Sequence, residues 1–329
     1  MKGICVGMGR RGRSWYKWAQ DAGLEVVGVV DINRSILDAS CDEHQIPESM
    51  RFESIGDAVK GTGAEVATVC AANPDHAACL TQCLDAGVHV IIEKPMVETP
   101  EDARMIDLKA REMGLTVAVA QNYRFSPEMR TIREAILRGE IGEIVSVQVT
   151  FHRWRPTQGL YLPLLMNQSI HHFDAIRWIL DADPDWCFAK SFNPHWNECD
   201  GPTVVEAVYG LSNGVVATYS GSYVTQGKNT SYSGSWRVEG SAGQLTFAGS
   251  DKDNPVVLSR RDPEEQMELS LLTGDMAGPA QVCREFLNAI ENGKRPPTNS
   301  ADNIKSLSMC WAADVSSREN RIVNFDEFV

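Results

Sequence analysis

Residues 2–12 read Lys2-Gly3-Ile4-Cys5-Val6-Gly7-Met8-Gly9-Arg10-Arg11-Gly12, and residues 25–31 read Glu25-Val26-Val27-Gly28-Val29-Val30-Asp31. The first stretch is a short apolar run followed at once by Gly-x-Gly-x-x-Gly. The second is a Val-rich strand ending in an acid, roughly 20 residues beyond Gly12. Between them, Gly12 to Ala22 carries a helical pattern closed by Gly23. Strand, glycine turn, helix, strand and acid together make a dinucleotide-binding unit. Gly7 permits a tight turn, Gly9 lets backbone approach a pyrophosphate, and Gly12 lets helix and strand pack closely. The helix start, with Arg10 and Arg11, turns unpaired N–H groups and a favourable dipole toward phosphate. Asp31 can accept hydrogen bonds from an adenosine ribose and repels a 2′-phosphate, which points to NAD. Arg11 and Arg34 could each pair with a 2′-phosphate, so NADP stays open. A glycine-rich turn without a ligand is the bland alternative, and the spacing argues against it.

Working outward, β-rich runs and helical patterns alternate to about residue 120. Strands are expected at 65–71, 88–92 and 115–120, and helices at 34–44, 75–86 and 100–113. This alternation predicts an α/β Rossmann domain with a parallel sheet, its strands apolar because helices cover both faces. After a helix over 126–138 the texture changes. Strand-like runs at 145–151, 204–211, 215–223, 235–239 and 244–247 are separated by turns such as Ser212-Asn213-Gly214. Helices are expected over 168–180, 279–292 and 302–319. This predicts a C-terminal α+β domain with a large, mainly antiparallel open sheet. The expected domains are 1–121, binding the dinucleotide, and 122–329, binding substrate and forming oligomers.

The 329 residues suit about two domains, and 43% hydrophobic with 23% charged residues excludes a disordered chain. The net charge of −13 argues against a nucleic-acid binder. No run reaches the roughly 18 apolar residues of a membrane span. No signal peptide is read at Met1, so a cytoplasmic protein is expected. The nine cysteines form no Cys-x-x-Cys pair and read as small buried hydrophobes.

Ala71-Ala72-Asn73-Pro74-Asp75-His76 follows the third parallel strand, at the edge where open α/β sheets bind ligands. Ala72 and Asn73 are expected to contact the cofactor, and His76 either contacts it or faces solvent. Glu93-Lys94-Pro95 follows the next strand; alone, its lysine would read as a surface residue. With the glycine fingerprint, Asn73-Pro74 and Gln121-Asn122-Tyr123-Arg124-Phe125, it resembles the Gfo/Idh/MocA family of oxidoreductases over nearly the whole chain.

That resemblance implies a hydride transfer between nicotinamide and a secondary alcohol or ketone of a sugar, inositol or related polyol. It places Lys94 near the reacting oxygen and the nicotinamide, with Glu93 and Gln121 on the cofactor side, and implies a cis Lys94-Pro95 bond. In Asn167-Gln168-Ser169-Ile170-His171-His172-Phe173-Asp174, helical spacing puts Asn167, His171 and Asp174 on one face and His172 away from it. His171 aligns with the family's catalytic histidine, a general acid/base. Asn167 stands where the family often has Asp. It can bond a hydroxyl or orient His171 but carries no charge. Asp174 could orient His171 or cap backbone. His172 is expected on the substrate side or in a structural role. Tyr123, Arg124, Arg153, Trp154 and Tyr161 are expected to bind substrate, Arg and aromatic residues suiting a sugar face or a carboxylate; rim or interface roles stay open for the 152–161 stretch. No metal is expected, because the nearby carboxylates lack a ligand-like arrangement. A homo-oligomer, dimer or tetramer, is expected through the C-terminal sheet, where Val215, Ala217 and Tyr219 alternate, unless the chain's own helices cover that face. A dinucleotide-sensing regulator and an NAD-dependent glycosidase are the alternative readings.

Overall fold

A computed structural model describes residues 1–155, 163–197, 199–249 and 255–328. The chain begins β1 (Lys2–Val6), α1 (Arg10–Asp21), β2 (Glu25–Val30), α2 (Arg34–Glu43), β3 (Arg51–Phe52), α3 (Ile55–Thr62), β4 (Val66–Val69), α4 (His76–Asp85), β5 (His89–Ile92), α5 (Pro100–Glu112) and β6 (Val117–Val119). These six strands form a parallel sheet in the order β3-β2-β1-β4-β5-β6. Its central strands are buried on both faces, Ile4, Val66 and Ile91 having no accessible surface. Helix starts follow local chemistry. Asn33 Oδ1 accepts from the Ser35 and Ile36 N–H groups, Ser54 Oγ from Asp57 N, and Thr99 Oγ1 from Asp102 N, with Pro100 opening α5. Each such cap contributes about 1 kcal/mol. The strand order reverses between β1 and β4, which opens a crevice beyond their carboxyl ends.

The chain continues with α6 (Pro127–Leu137), β7 (Ile144–His152), a π-helical turn at Leu165–Ser169 leading into α7 (Ile170–Leu180), then β8 (Pro184–Phe192), β9 (Val204–Leu211), β10 (Val216–Ser222), β11 (Ser235–Gly240), β12 (Gln244–Phe247), β13 (Val256–Arg261) and β14 (Glu264–Leu269). It ends in α8 (Gly278–Glu291), α9 (Ser300–Glu319) and β15 (Val323–Asn324). The second sheet runs β14-β13-β12-β11-β7-β10-β9-β8-β15, antiparallel in every pairing except β7 with β10. Alternate residues point inward, so Val147, Val149 and Phe151 on β7 and Ala217 and Tyr219 on β10 are buried. Phe173 of α7 meets the rings of Tyr209 and Tyr219 edge-on, at 5.1 and 5.0 Å. The Tyr209 hydroxyl donates to Met309 O of α9 at 3.0 Å. The face carrying Val215, Ala217 and Tyr219 is therefore covered by this chain's own helices and is not an outer surface. The opposite face is open and carries exposed Phe188, Phe192 and Val216.

Two compact units result: Met1–Asn122 with Met276–Ile304, and Tyr123–Asp275 with Lys305–Val329. The sequence alone gives 276–304 to the second part of the chain. These residues join the first unit because α8 packs on α1, where Arg284 Nη2 donates to Asp21 O at 3.0 Å, and because Val119 N donates to Thr298 O at 2.9 Å beside β6.

Candidate functional site

In the first unit, β1 ends in Gly7, whose φ of +84° favours glycine. A Cβ there would lie 2.6 Å from Cys70 O, and one on Gly12 would lie 1.7 Å from Gly7 O. Gly9 differs: its φ of −62° is ordinary, and a Cβ would meet nothing within 4 Å. Gly7 and Gly12 are thus required by the fold itself, whereas Gly9 faces open space at the start of α1. That space belongs to a cavity of about 640 Å³ lined by Gly7, Gly9, Asp31, Ile32, Cys70 and Ala72, among others. Its size is that of a ligand pocket. Asp31 is fixed at its mouth, accepting from Met8 N and Asn33 N at 2.8 Å each. A carboxylate has about four acceptor positions, so capacity remains for ribose hydroxyls. Ile32 and Ile36 are exposed and offer the pocket an apolar wall suited to a purine face, a role the sequence reading missed. An unsupported Ile-Asn-Arg-Ser-Ile run beside a dinucleotide fingerprint is the signal that could have found it. The residues present fit a dinucleotide.

The arginines considered for a 2′-phosphate are engaged elsewhere. Arg34 Nε donates to Asp38 at 2.9 Å, and its Nη2 pairs with Glu48. Arg11 Nε donates to Glu93 at 2.7 Å, with its guanidinium 4.7 Å over the Trp18 ring. Arg10 is exposed at the start of α1.

At the neighbouring strand ends, Ala72 is exposed and Asn73 half-buried in a 3₁₀ turn, and Lys94 is half-buried just past β5. The Lys94-Pro95 peptide is cis, as the family resemblance implied. Glu93 is buried. Its carboxylate accepts from Arg11, from Trp15 Nε1 at 2.8 Å and from Lys94 N at 3.2 Å, so it anchors the strand end. Gln121 is buried too. His76 has no accessible surface, so it faces neither a ligand nor solvent, contrary to both expectations. Its Nδ1 lies 2.7 Å from Pro95 O and its Nε2 3.2 Å from Ala71 O. Burial holds its pKa below the usual value, so the neutral ring has one N–H, and the shorter contact takes it. His76 ties together the loops after β4 and β5.

In the second unit, His171 lies on α7, 7% exposed, with the Tyr123 ring stacked on it at 4.5 Å and 13°. Tyr123 is held by its hydroxyl, which donates to Tyr232 O at 2.9 Å and accepts from Gln168 Nε2 at 2.7 Å. Asn167 sits in the π-helical turn, so a strict α-helical spacing from it to His171 does not apply. Asp174 accepts both Nε and Nη2 of Arg124 at 2.6 Å and the Ser306 hydroxyl at 2.8 Å. Both members of this pair are buried, so Arg124 is a structural partner of α7 and not a surface cation for substrate. His172 is buried as well, its Nε2 3.0 Å from Tyr232 O and its Nδ1 3.2 Å from the Tyr219 hydroxyl. Burial pushes its pKa down to about 4. It is a core hub and presents nothing to substrate. Arg153 stacks over Tyr232 at 4.3 Å and donates to Thr230 O, and Trp154 is half exposed. Tyr161 lies outside the described residues.

Among the described residues no helix is long and apolar enough to cross a membrane, and no group of three or more His, Cys, Asp or Glu is placed to hold a metal. Comparison with known proteins agrees with this geometry. Residues 2–121 match the oxidoreductase family profile described as an NAD-binding Rossmann fold, and residues 129–246 match the GFO/IDH/MocA C-terminal domain. A 1,5-anhydro-D-fructose reductase of Ensifer adhaerens is 26% identical over 92% of both chains. A myo-inositol 2-dehydrogenase of Thermotoga maritima is 23% identical over 82% of this chain and 83% of its own. An oxidoreductase from Agrobacterium radiobacter, solved in complex with NAD+, L-tartaric acid and magnesium, superposes with a TM-score of 0.90 at 17% identity, covering 100% of this chain and 99% of its own. With an NAD-binding Rossmann domain at one end and the matching C-terminal domain after it, the chain belongs to the Gfo/Idh/MocA family of oxidoreductases.

Proposed function

We propose that the protein interconverts a secondary alcohol and a ketone on a sugar, inositol or related polyol, with NAD preferred over NADP. The observation that carries this reading lies within one sheet. The pocket facing Gly9 and Asp31 takes in the end of β4, and Lys94 follows β5, the strand paired with β4. Gly7, Gly9, Gly12, Asp31, Ala72 and Asn73 hold the cofactor, and the ion pairs of Arg34 support the preference for NAD. Bound NAD supplies the hydride acceptor. Lys94 holds the developing negative charge on the substrate oxygen. His171 takes the hydroxyl proton, and Asn167 hydrogen-bonds a hydroxyl beside it. Relatives named for anhydrofructose and inositol support the substrate class.

Lys94→Ala and His171→Ala are each expected to lower turnover at least ~100-fold while NAD binding stays within about threefold. Absorbance of reduced nicotinamide over a panel of sugars reads the turnover. Near-normal turnover in either variant overturns that residue's role. Sugar hydrolysis without net absorbance change would mean a glycosidase, and binding alone a regulator. A cytoplasmic homo-oligomer completes the proposal, formed through the open sheet face with Phe188, Phe192 and Val216. A monomer by light scattering at micromolar concentration would remove that part.

A further inference from the structure

The aromatic cluster around His171 extends to a cation that the proposed chemistry does not use. Tyr123 stacks on His171 and meets His172 edge-on at 5.6 Å; His172 meets Phe151 at 5.3 Å; Phe151 meets Tyr223 edge-on at 5.7 Å. Over the Tyr223 ring, 5.6 Å from its centre, sits the guanidinium of Arg155. The two residues are held by backbone pairing: Arg155 N donates to Tyr223 O at 2.7 Å, and Trp154 bridges Val224 beside them.

Among the described residues, neither polar group meets an acceptor outside the pair. No carboxylate among them pairs with Arg155, whereas Arg124, Arg34 and Arg11 each have one. The Tyr223 hydroxyl is buried, only the Arg155 guanidinium lies against it, and its own proton has no acceptor. A buried hydroxyl whose proton finds no acceptor is unfavourable and calls for an explanation. Burial pushes the phenol's pKa well up, partly offset by the Arg155 charge, so the group stays an O–H donor. The site therefore offers one positive charge and an unused O–H donor beside it. A neutral sugar hydroxyl would leave the charge unmatched. A phosphate dianion would exceed it by one. A carboxylate matches it in charge and accepts from both groups.

We infer that Arg155 and Tyr223 form a subsite for the carboxylate of an acidic sugar, so that uronates or aldonates are preferred over neutral aldoses. This rests on the dehydrogenase reading, through the aromatic cluster that joins the pair to His171, but is tested separately from it. The purified full chain is assayed with NAD on D-glucuronate, D-galacturonate and D-gluconate, on the neutral sugars D-glucose and D-galactose, and on glucose 6-phosphate. Binding of the same compounds is followed by thermal shift. A charge-assisted hydrogen bond of about 1.5–3 kcal/mol corresponds to roughly 10- to 100-fold in kcat/KM. At least one acid should exceed its neutral counterpart by that factor. Arg155→Gln should abolish most of the preference, and Tyr223→Phe should reduce it by about 5-fold. Acids should raise Tm in the parent protein and not in Arg155→Gln. Equal use of acid and neutral sugars, a preference for the phosphate, or an undiminished acid preference in Arg155→Gln overturns the subsite. If no sugar is oxidised but acids still raise Tm through Arg155, the subsite stands and the dehydrogenase reading fails. Absence of any acid effect in both assays overturns the subsite.

Discussion

Gly9→Ala separates cofactor recognition from folding more cleanly than any change at the other two fingerprint glycines. Gly9 is the residue before α1, with φ −62° and ψ −175°, a conformation open to alanine. Its added methyl would meet no protein atom within 4 Å. Two small effects oppose each other in stability. Alanine is a poorer helix cap than glycine, and a glycine replaced at a compatible conformation stabilises by about 0.4–1 kcal/mol through the unfolded state. The net change in unfolding free energy should lie within about 1 kcal/mol of zero. The methyl would, however, occupy the space through which backbone approaches a pyrophosphate. Displacing that contact should raise the Kd for NADH at least about 30-fold, roughly 2 kcal/mol. Gly12→Ala gives the contrasting result. Its Cβ would be 1.7 Å from Gly7 O, a backbone atom, so the turn must move, at a cost of several kcal/mol. Urea unfolding followed by tryptophan fluorescence gives the stabilities, and NADH fluorescence titration gives the affinities. If Gly9→Ala binds NADH within threefold of the parent, the pyrophosphate does not pass Gly9 and the reasoning is wrong. If it unfolds like Gly12→Ala, the open space inferred at Gly9 is wrong.

Two further predictions concern the second unit. Unfolded His172 takes a proton near pH 6.5, whereas the folded residue resists until about pH 4. The unfolded state therefore binds more protons in that window, and stability falls as pH drops through it. Relative to His172→Gln, the parent should lose roughly 3 kcal/mol between pH 7 and pH 4, and parallel unfolding curves for the two would rule this out. Arg124→Met leaves the Asp174 carboxylate buried without its cation and should cost about 3–5 kcal/mol, while Arg124→Met combined with Asp174→Leu should regain most of it. A single variant as stable as the parent in urea would show that the pair is not desolvated as described.

The parts of this protein legible in sequence are those whose cause is local. The fingerprint from Gly7 to Gly12 and the acid at Asp31 lie within one βαβ unit, and the apolar runs of β1, β2, β4 and β5 announce a sheet covered on both faces. Strands β8, β13 and β14 are not legible in the sequence because Pro184, Asp185 and Lys190, and then Arg260, Arg261, Glu264 and Glu265, dilute the alternation on strands that face water or lie at the sheet edge. The second unit's site was legible only as residue types. Helical spacing can say that His171 and His172 point apart, but not that α7 is buried nearly all round, which takes His172 into the core and binds Asp174 to Arg124.

The sequence by itself determined the two sheet types, the dinucleotide turn and the family, because each depends on short-range pattern or contiguous motif. Only the tertiary structure decided which polar groups are satisfied from within. Arg124 meets Asp174 50 residues away, and Tyr123 meets Tyr232 109 residues away. Arg155, by contrast, carries a charge that no described carboxylate balances. Pairing of that kind follows from packing two distant segments into one desolvated place, and no pattern within either segment encodes it.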